Sequence, residues 1–387
     1  MENMRMYPKM ALAIGFVCLT ALYATGQNSS TINVVTTAVP FLRIAPDARS
    51  GSMGDMGVSS APDANSMFWN LAKTPFNKER GGASVTYTPW LRDLGLNDVF
   101  LAALAGYYQI DEQSAISTSL RYFDLGEIQF TDFSGNPLST GKPTEIAFDV
   151  GYSRKLSERW GVGAALRYIN SNLARGYSSS NGVTYTAGQT VAGDLSFYYD
   201  GTNEVGQGAR FGLAFTNLGG KISYTNNAQE KDYIPANLGI GGSYTFSFQE
   251  EHKLMLGVDL NKLMVPTPPE PTGDSATDAN ALNEYRNMGV VESWFKSFTD
   301  SDEELKEITV SVGTEYSYRN QFFLRAGYFY ESPEKGNRQY FTAGFGVKFN
   351  AFGLDMSYLV PSGSGTNRNP LSNTLRFSLL VNFGQFQ

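Results

Sequence analysis

RQYFTAGFGVKF, Arg338 to Phe349, splits in two when every second residue is read. Phe341, Ala343, Phe345, Val347 and Phe349 fall on one face; Tyr340, Thr342, Gly344, Gly346 and Lys348 fall on the other. A two-residue period of this kind marks a strand with one apolar side. Segment 307–318 repeats it, with Ile308, Val310, Val312 and Tyr316 opposite Glu307, Thr309, Ser311 and Glu315. So does 352–360, with Leu354, Met356 and Tyr358 opposite Asp355 and Ser357. The stretch 373–384 sets Leu375, Phe377, Leu379, Val381 and Phe383 against Thr374, Arg376, Ser378 and Asn382, with Leu380 the exception.

Carried along the chain, the same reading places strands at 82–90, 98–109, 113–130, 144–155, 160–173, 190–200, 208–217, 236–247, 252–263, 307–318, 321–331, 338–350, 352–360 and 373–384. These make fourteen, an even number, so both ends of the strand array lie on one side. Short connections at 157–159, around Glu250, at Arg319-Asn320 and at Asn350-Ala351 alternate with longer ones at 91–97, 131–143, 174–189, 218–235, 264–306 and 361–372. Short periplasmic turns and long outer loops characterise an outer-membrane barrel, and a soluble sandwich has no reason to sort its loops by parity. After the first residues no segment reaches the ~18 consecutive apolar residues of a spanning helix. The expected fold is therefore all-β, a fourteen-stranded antiparallel transmembrane β-barrel integral to the cell outer membrane and the lipid bilayer. Asp149, Asp259, Glu315, Arg325 and Lys348 should then face the lumen, because a midplane Arg or Lys facing lipid costs about 2–4 kcal/mol. Aromatics should form interfacial girdles, with Tyr107, Tyr108, Tyr122 and Tyr328 near strand ends, and Phe377 and Phe383 should serve as the insertion signal read by the assembly machinery.

The N-terminus carries an address. Arg5 and Lys9 precede the apolar run Met10 to Tyr23, and Ala24-Thr25-Gly26 supplies small residues before a cleavage point. This pattern is a secretory signal peptide over residues 1–26, cut between Gly26 and Gln27. Cleavage removes Cys18, the only cysteine, and so excludes disulfides, thiolate metal sites and a cysteine nucleophile. With His252 as the only histidine, imidazole metal sites and His-based hydrolysis have no support, and no metal, cofactor or enzymatic activity is expected. Loss of Glu2, Arg5 and Lys9 takes the net charge from −7 to −8. An exported chain this acidic is a poor partner for nucleic acid.

Residues 27–81 do not alternate and are read as a plug segment ahead of the barrel, 82–387. Within them Gly51, Gly54 and Gly57 recur every third residue, but no Lys-Ser/Thr follows to make a phosphate loop. Tight turns in a packed segment account for them. Asp63-Ala64 followed by Met67-Phe68-Trp69-Asn70 resembles the N-terminal plug of the FadL-type outer-membrane transporters, which are fourteen-stranded barrels. Asn70-Leu71-Ala72 departs from that family's usual Asn-Pro-Ala. The longer run APDARSGSMGDMGVSSAPDANSMFWN, Ala45 to Asn70, is similar to the PorV (LptO) group of the Bacteroidetes type IX secretion system, a resemblance that extends over essentially the whole chain. It implies a non-enzymatic protein that binds the C-terminal signal domains of secreted cargo at the outer-membrane translocon and delivers them to a surface sortase/attachment complex. The alternative is a FadL-like channel for uptake of hydrophobic small molecules, which would need an apolar pocket and an open path.

The connection 264–306 is far longer than ordinary loops, which points to function or disorder. It opens on the stiff Pro266 to Pro271 and continues with Leu282, Tyr285, Met288, Val291, Phe295 and Phe298 at helical spacing. Asp278 or Asn280 is expected to cap this helix, and Gly289 weakens its middle. It is expected to lie over the mouth as a lid, and its aromatics Tyr285, Trp294, Phe295 and Phe298 are candidate cargo-binding anchors. Asp274-Ser275-Ala276 also resembles the short O-glycosylation acceptor of Bacteroidetes.

Overall fold

Strands with one apolar and one polar face can cross lipid only by closing on themselves, since the bilayer offers their edges no hydrogen bonds. The chain does this. The computed structural model describes residues 33–131, 134–174, 184–225, 231–248, 251–301, 303–360 and 373–384. The signal peptide, the Gly26–Gln27 cleavage point and the loop 361–372 lie outside them. The described residues form sixteen strands: β1 (Gly81–Pro89), β2 (Val99–Gln109), β3 (Ser114–Leu125), β4 (Ile128–Thr131), β5 (Pro137–Gly141), β6 (Thr144–Lys155), β7 (Trp160–Asn172), β8 (Gly188–Asp200), β9 (Gly208–Gly219), β10 (Asn237–Phe248), β11 (His252–Leu263), β12 (Thr309–Tyr318), β13 (Phe322–Tyr330), β14 (Gln339–Phe349), β15 (Phe352–Val360) and β16 (Leu375–Phe383). All but β4 and β5 form one closed antiparallel barrel of fourteen strands. It is sealed where β1 meets β16, from Gly81 opposite Phe383 to Tyr87 opposite Phe377.

The side-chain alternation is the one read from the sequence. Phe341, Phe345, Phe349, Phe377, Leu379 and Phe383 stand exposed on the outer face, whereas Asp149, Asp259 and Arg325 are buried inside. Arg319 and Asn320 both take positive φ, the two-residue turn whose twist suits a hairpin.

Two expectations are corrected. The strand foreseen over 113–130 stops at Leu125, because Gly126 turns left-handed at φ 78° and the chain leaves the wall. Its remainder, β4, pairs with β5 as a separate hairpin within the outer connection. Tyr107 does not join a lipid-facing girdle. Successive strand residues face opposite ways, so with Tyr108 exposed outside, Tyr107 is buried and donates its hydroxyl to the Glu79 carbonyl at 3.1 Å.

Residues 33–80 thread the lumen. Asn33 donates to the Pro268 carbonyl (3.1 Å) and Ala38 N–H to the Tyr233 carbonyl (2.9 Å), both in long outer connections. At the other end Gln109 donates to the Asn77 carbonyl at 2.8 Å. The segment therefore spans the barrel from outer mouth to periplasmic rim.

Candidate functional site

Helical turns as short as those at Ala48–Gly51, Ser66–Trp69 and Leu71–Phe76 do not persist alone. Buried inside a barrel, their free backbone groups need partners. Asp47 caps the first turn, accepting from Ser50 N–H (2.8 Å) and also from Trp69 Nε1 (2.7 Å). The wall supplies further partners. Asp259 accepts from the N–H groups of Gly57 and Val58, each at 2.7 Å, and Thr342 Oγ1 accepts from Gly54 N–H at 2.8 Å. Asn70 Nδ2 ties the Val58 carbonyl (3.1 Å) to the Phe197 carbonyl (3.0 Å) on β8.

Arg49 is the main ionic tie between plug and wall. Its guanidinium forks onto Glu315 with two 3.0 Å hydrogen bonds and reaches Asp63 at 2.9 Å and the Ala61 carbonyl at 3.0 Å. Glu315 also binds Arg325 (2.7 Å), which binds Asp355 (2.6 Å). A second buried cluster joins Arg167 to Asp149, Asp194 and Asn217 across β6, β7, β8 and β9. Shape complements charge. Gly313 and Gly327 face each other across β12 and β13 where the plug backbone at Met53 and Gly54 rests on the wall. A Cβ on Gly313 would come within 2.7 Å of the Met53 carbonyl oxygen.

The space left beside the plug is divided, and its walls mix charged with apolar side chains. A cavity of about 480 Å³ opens on the periplasmic half, lined by charged groups that include Arg49, Asp63, Glu79, Arg210, Lys253 and Lys348. On the outer half, cavities of about 120 and 90 Å³ are lined by Arg43, Asp55 and Arg338, with Arg121 in the first and Arg376 in the second.

The long outer connection carries two helices, Ser275–Asn287 and Val290–Lys296, where one was expected; the chain breaks at Met288-Gly289. Asp274 is the cap, accepting from Thr277 N–H at 3.1 Å, whereas Asp278 accepts from Thr272 N–H at 2.7 Å. Ser275 is exposed at the first helical position. Both flanks of the helices are pinned. Thr267 N–H donates to Asp300 (2.6 Å), and Glu307 receives Lys262 (2.5 Å) and Lys335 (3.0 Å).

The expected site residues separate by environment. In the plug, Asp63 pairs with Arg49, Trp69 with Asp47, Asn70 bridges plug and wall, and Phe68 lies 5.4 Å beneath the Arg121 guanidinium. In the lid, Tyr285 packs edge-on against Tyr233 at 5.4 Å and Phe298 lies under Lys262 at 5.5 Å. Trp294 is half-buried, and only Phe295 projects fully, at 72 % exposure. Val291, one turn earlier, and Leu305 are exposed as well. Arg49 was missed in the sequence, although its place in a plug facing lumenal Glu315 was the available signal.

A closed barrel of fourteen strands, with its lumen filled by an N-terminal plug, gives the chain the fold of the monoaromatic hydrocarbon channels. Solved structures with this fold include the CymD monoaromatic hydrocarbon channel (TM-score 0.53, 14 % identity, 88 % of this chain and 98 % of that one). Others are a TodX deltaS2S3 mutant monoaromatic hydrocarbon channel (0.52, 13 %, 87 % and 99 %) and the Ralstonia pickettii toluene transporter TbuX (0.50, 13 %, 87 % and 98 %). At such identities the likeness is one of fold. Residues 27–270 match the family described as type IX secretion system protein PorV, and the chain belongs to that family. It is thus an outer-membrane component of type IX secretion. A search of curated proteins finds no match.

Proposed function

We propose that this barrel is a non-enzymatic carrier that receives the C-terminal signal domains of secreted proteins at the translocon and passes them to the surface sortase/attachment complex. The observation that carries this reading is a lumen filled by a wall-bonded plug beneath an exposed apolar edge on the lid. Uptake of hydrophobic molecules, the activity in the names of the structural neighbours, requires an apolar route. The larger outer cavity among the described residues instead sets Arg121, Arg338, Asn217 and Asn261 among Leu42, Ile44, Phe68 and Phe329, so its lining is mixed rather than apolar throughout. Val291, Phe295 and Leu305 meanwhile stand in solvent on a pinned loop. Exposed aromatic and aliphatic groups on an ordered scaffold are what a docking surface needs.

The test is to replace 275–298 by a short Gly/Ser linker, leaving Asp300, Glu304 and Glu307 in place. Shortening a surface loop changes closure entropy only slowly, so the barrel should still fold. Cargo should no longer co-purify, and secreted proteins should stall before surface anchoring. Normal cargo association would remove the lid from the mechanism. Normal secretion in a complete knockout, with hydrophobic uptake lost, would replace the carrier by the channel.

A further inference from the structure

Four arginines from four elements converge on the outer half of the lumen: Arg43 in the plug turn Pro40–Arg43, Arg121 in β3, Arg338 just before β14, and Arg376 in β16. Carboxylates do not satisfy them all. Glu331 is taken by Arg338 through bonds of 2.7 and 2.8 Å, and Arg43 reaches it at 3.5 Å. Asp55 Oδ2 accepts from the Tyr340 hydroxyl at 2.6 Å. Arg376, 1 % exposed, comes no closer to Asp55 Oδ1 than 3.8 Å. Its Nε and Nη1 have no partner among the described residues, and neither does Asp55 Oδ1. Ser357, the register neighbour of Arg376 on β15, also has an unpartnered hydroxyl.

Arg376 and Asp55 border a space. The cavity of about 90 Å³ is lined by Arg43, Asp55, Trp90, Arg338, Tyr340 and Arg376. A buried guanidinium without a hydrogen-bonded anion is disfavoured, and its planar fork fits the paired oxygens of a carboxylate or phosphate. We propose that this cavity binds a hydrogen phosphate ion, with Arg376, Arg43 and Arg338 facing its oxygens. The protonated oxygen of the ion donates to the free Oδ1 of Asp55, an acceptor that a fully deprotonated oxyanion such as sulfate can only repel. The bound ion joins plug, through Arg43 and Asp55, to wall, through Arg338 and Arg376. The volume suits a free ion rather than the phosphate of a lipid carrying its chains. The inference stands apart from the carrier reading, since it concerns how the plug is held rather than what the lid binds.

The test uses the mature protein in a non-ionic detergent, with its heat-unfolding midpoint titrated by sodium phosphate or sodium sulfate at matched ionic strength. Phosphate should raise the midpoint saturably, and Arg376→Lys and Arg43→Gln should each weaken the apparent affinity at least tenfold. Sulfate should do little to the native protein and gain effect in Asp55→Asn. If Arg376→Lys does not fold, Arg43→Gln, whose side chain is partly exposed, carries the test alone. Equal responses to phosphate and sulfate, or an undiminished phosphate response in Arg43→Gln, would overturn the proposal. So would full replacement of phosphate by a phosphocholine-headed detergent, which would assign the site to a headgroup.

Discussion

Replacing Arg49 by Met keeps an unbranched stem and removes the guanidinium, cutting the main ionic tie between plug and barrel. Four hydrogen bonds are lost, three of them to carboxylates. Removing one partner of a buried ion pair costs roughly 3–5 kcal/mol. Two features place this site at the lower end. Glu315 keeps Arg325 at 2.7 Å, and the cluster borders the periplasmic cavity, where water can reach Asp63 and Glu315. A cost of about 3 kcal/mol corresponds to roughly a hundredfold shift in an equilibrium. Because the barrel ladder is untouched, the loss should appear in plug docking. Hydrogen exchange in detergent micelles would measure it: amides of 47–76 should lose about two orders of magnitude of protection, while those of β2 and β14 keep theirs. Unchanged plug protection would refute the claim that this network seats the plug. Equal loss in plug and strands would show that the two do not separate as domains of stability.

Four further outcomes are expected. Gly327→Val drives a side chain into the Met53-Gly54 backbone, and overpacking of about 1–3 kcal/mol should expose the plug to limited proteolysis without lowering barrel yield. Phe377→Ala with Phe383→Ala strips two lipid-facing rings from β16, each worth roughly 1.5–3 kcal/mol by area, and should reduce heat-modifiable barrel in the membrane; normal yield would count against the insertion signal. Since residues 27–387 lack cysteine, single cysteines at Ser275 and Asn337 should react with an impermeant thiol reagent on intact cells and those at Glu158 and Asn320 should not. Burial raises the Glu331 carboxyl, but Arg338 and Arg43 outweigh it and hold the group below its ordinary 4.5. A depressed carboxylate stabilises above its unfolded pKa and loses that contribution as pH falls through the folded one. Protection of 331–338 should therefore persist at pH 5 and fade only below about 4.5, and fading that begins near neutrality would contradict the pairing.

The strands were legible because one rule governs every residue of a membrane barrel. Lipid tolerates only apolar side chains, so Phe341 and Phe345 announce their face as plainly as Lys348 announces the other. Tyr107 escaped because a tyrosine is acceptable on either face, and only strict alternation with Tyr108 decides it. The break at Gly126 escaped because Ile128 and Phe130 continue an apolar pattern beyond the wall. In the plug the motif Asp63 to Asn70 was visible, but its partners were not. Arg49 meets Glu315, and Gly57 meets Asp259, across some two hundred residues or more, and no local period encodes such a distance. The lid's aromatic spacing foretold helix but not the break at Met288-Gly289, and packing against Tyr233 half-buries Tyr285 while Phe298, beside Lys262, and Phe295 stay exposed.

The most direct measurement of the carrier account is in-cell photo-crosslinking from position 295, with Leu324 on the lipid face as control. Ultraviolet activation at 295 should capture secreted proteins through their C-terminal domains, at levels well above position 324 and abolished when those domains are deleted from the cargo. Capture at 295 no greater than at 324, in cells whose secretion is intact, would contradict it.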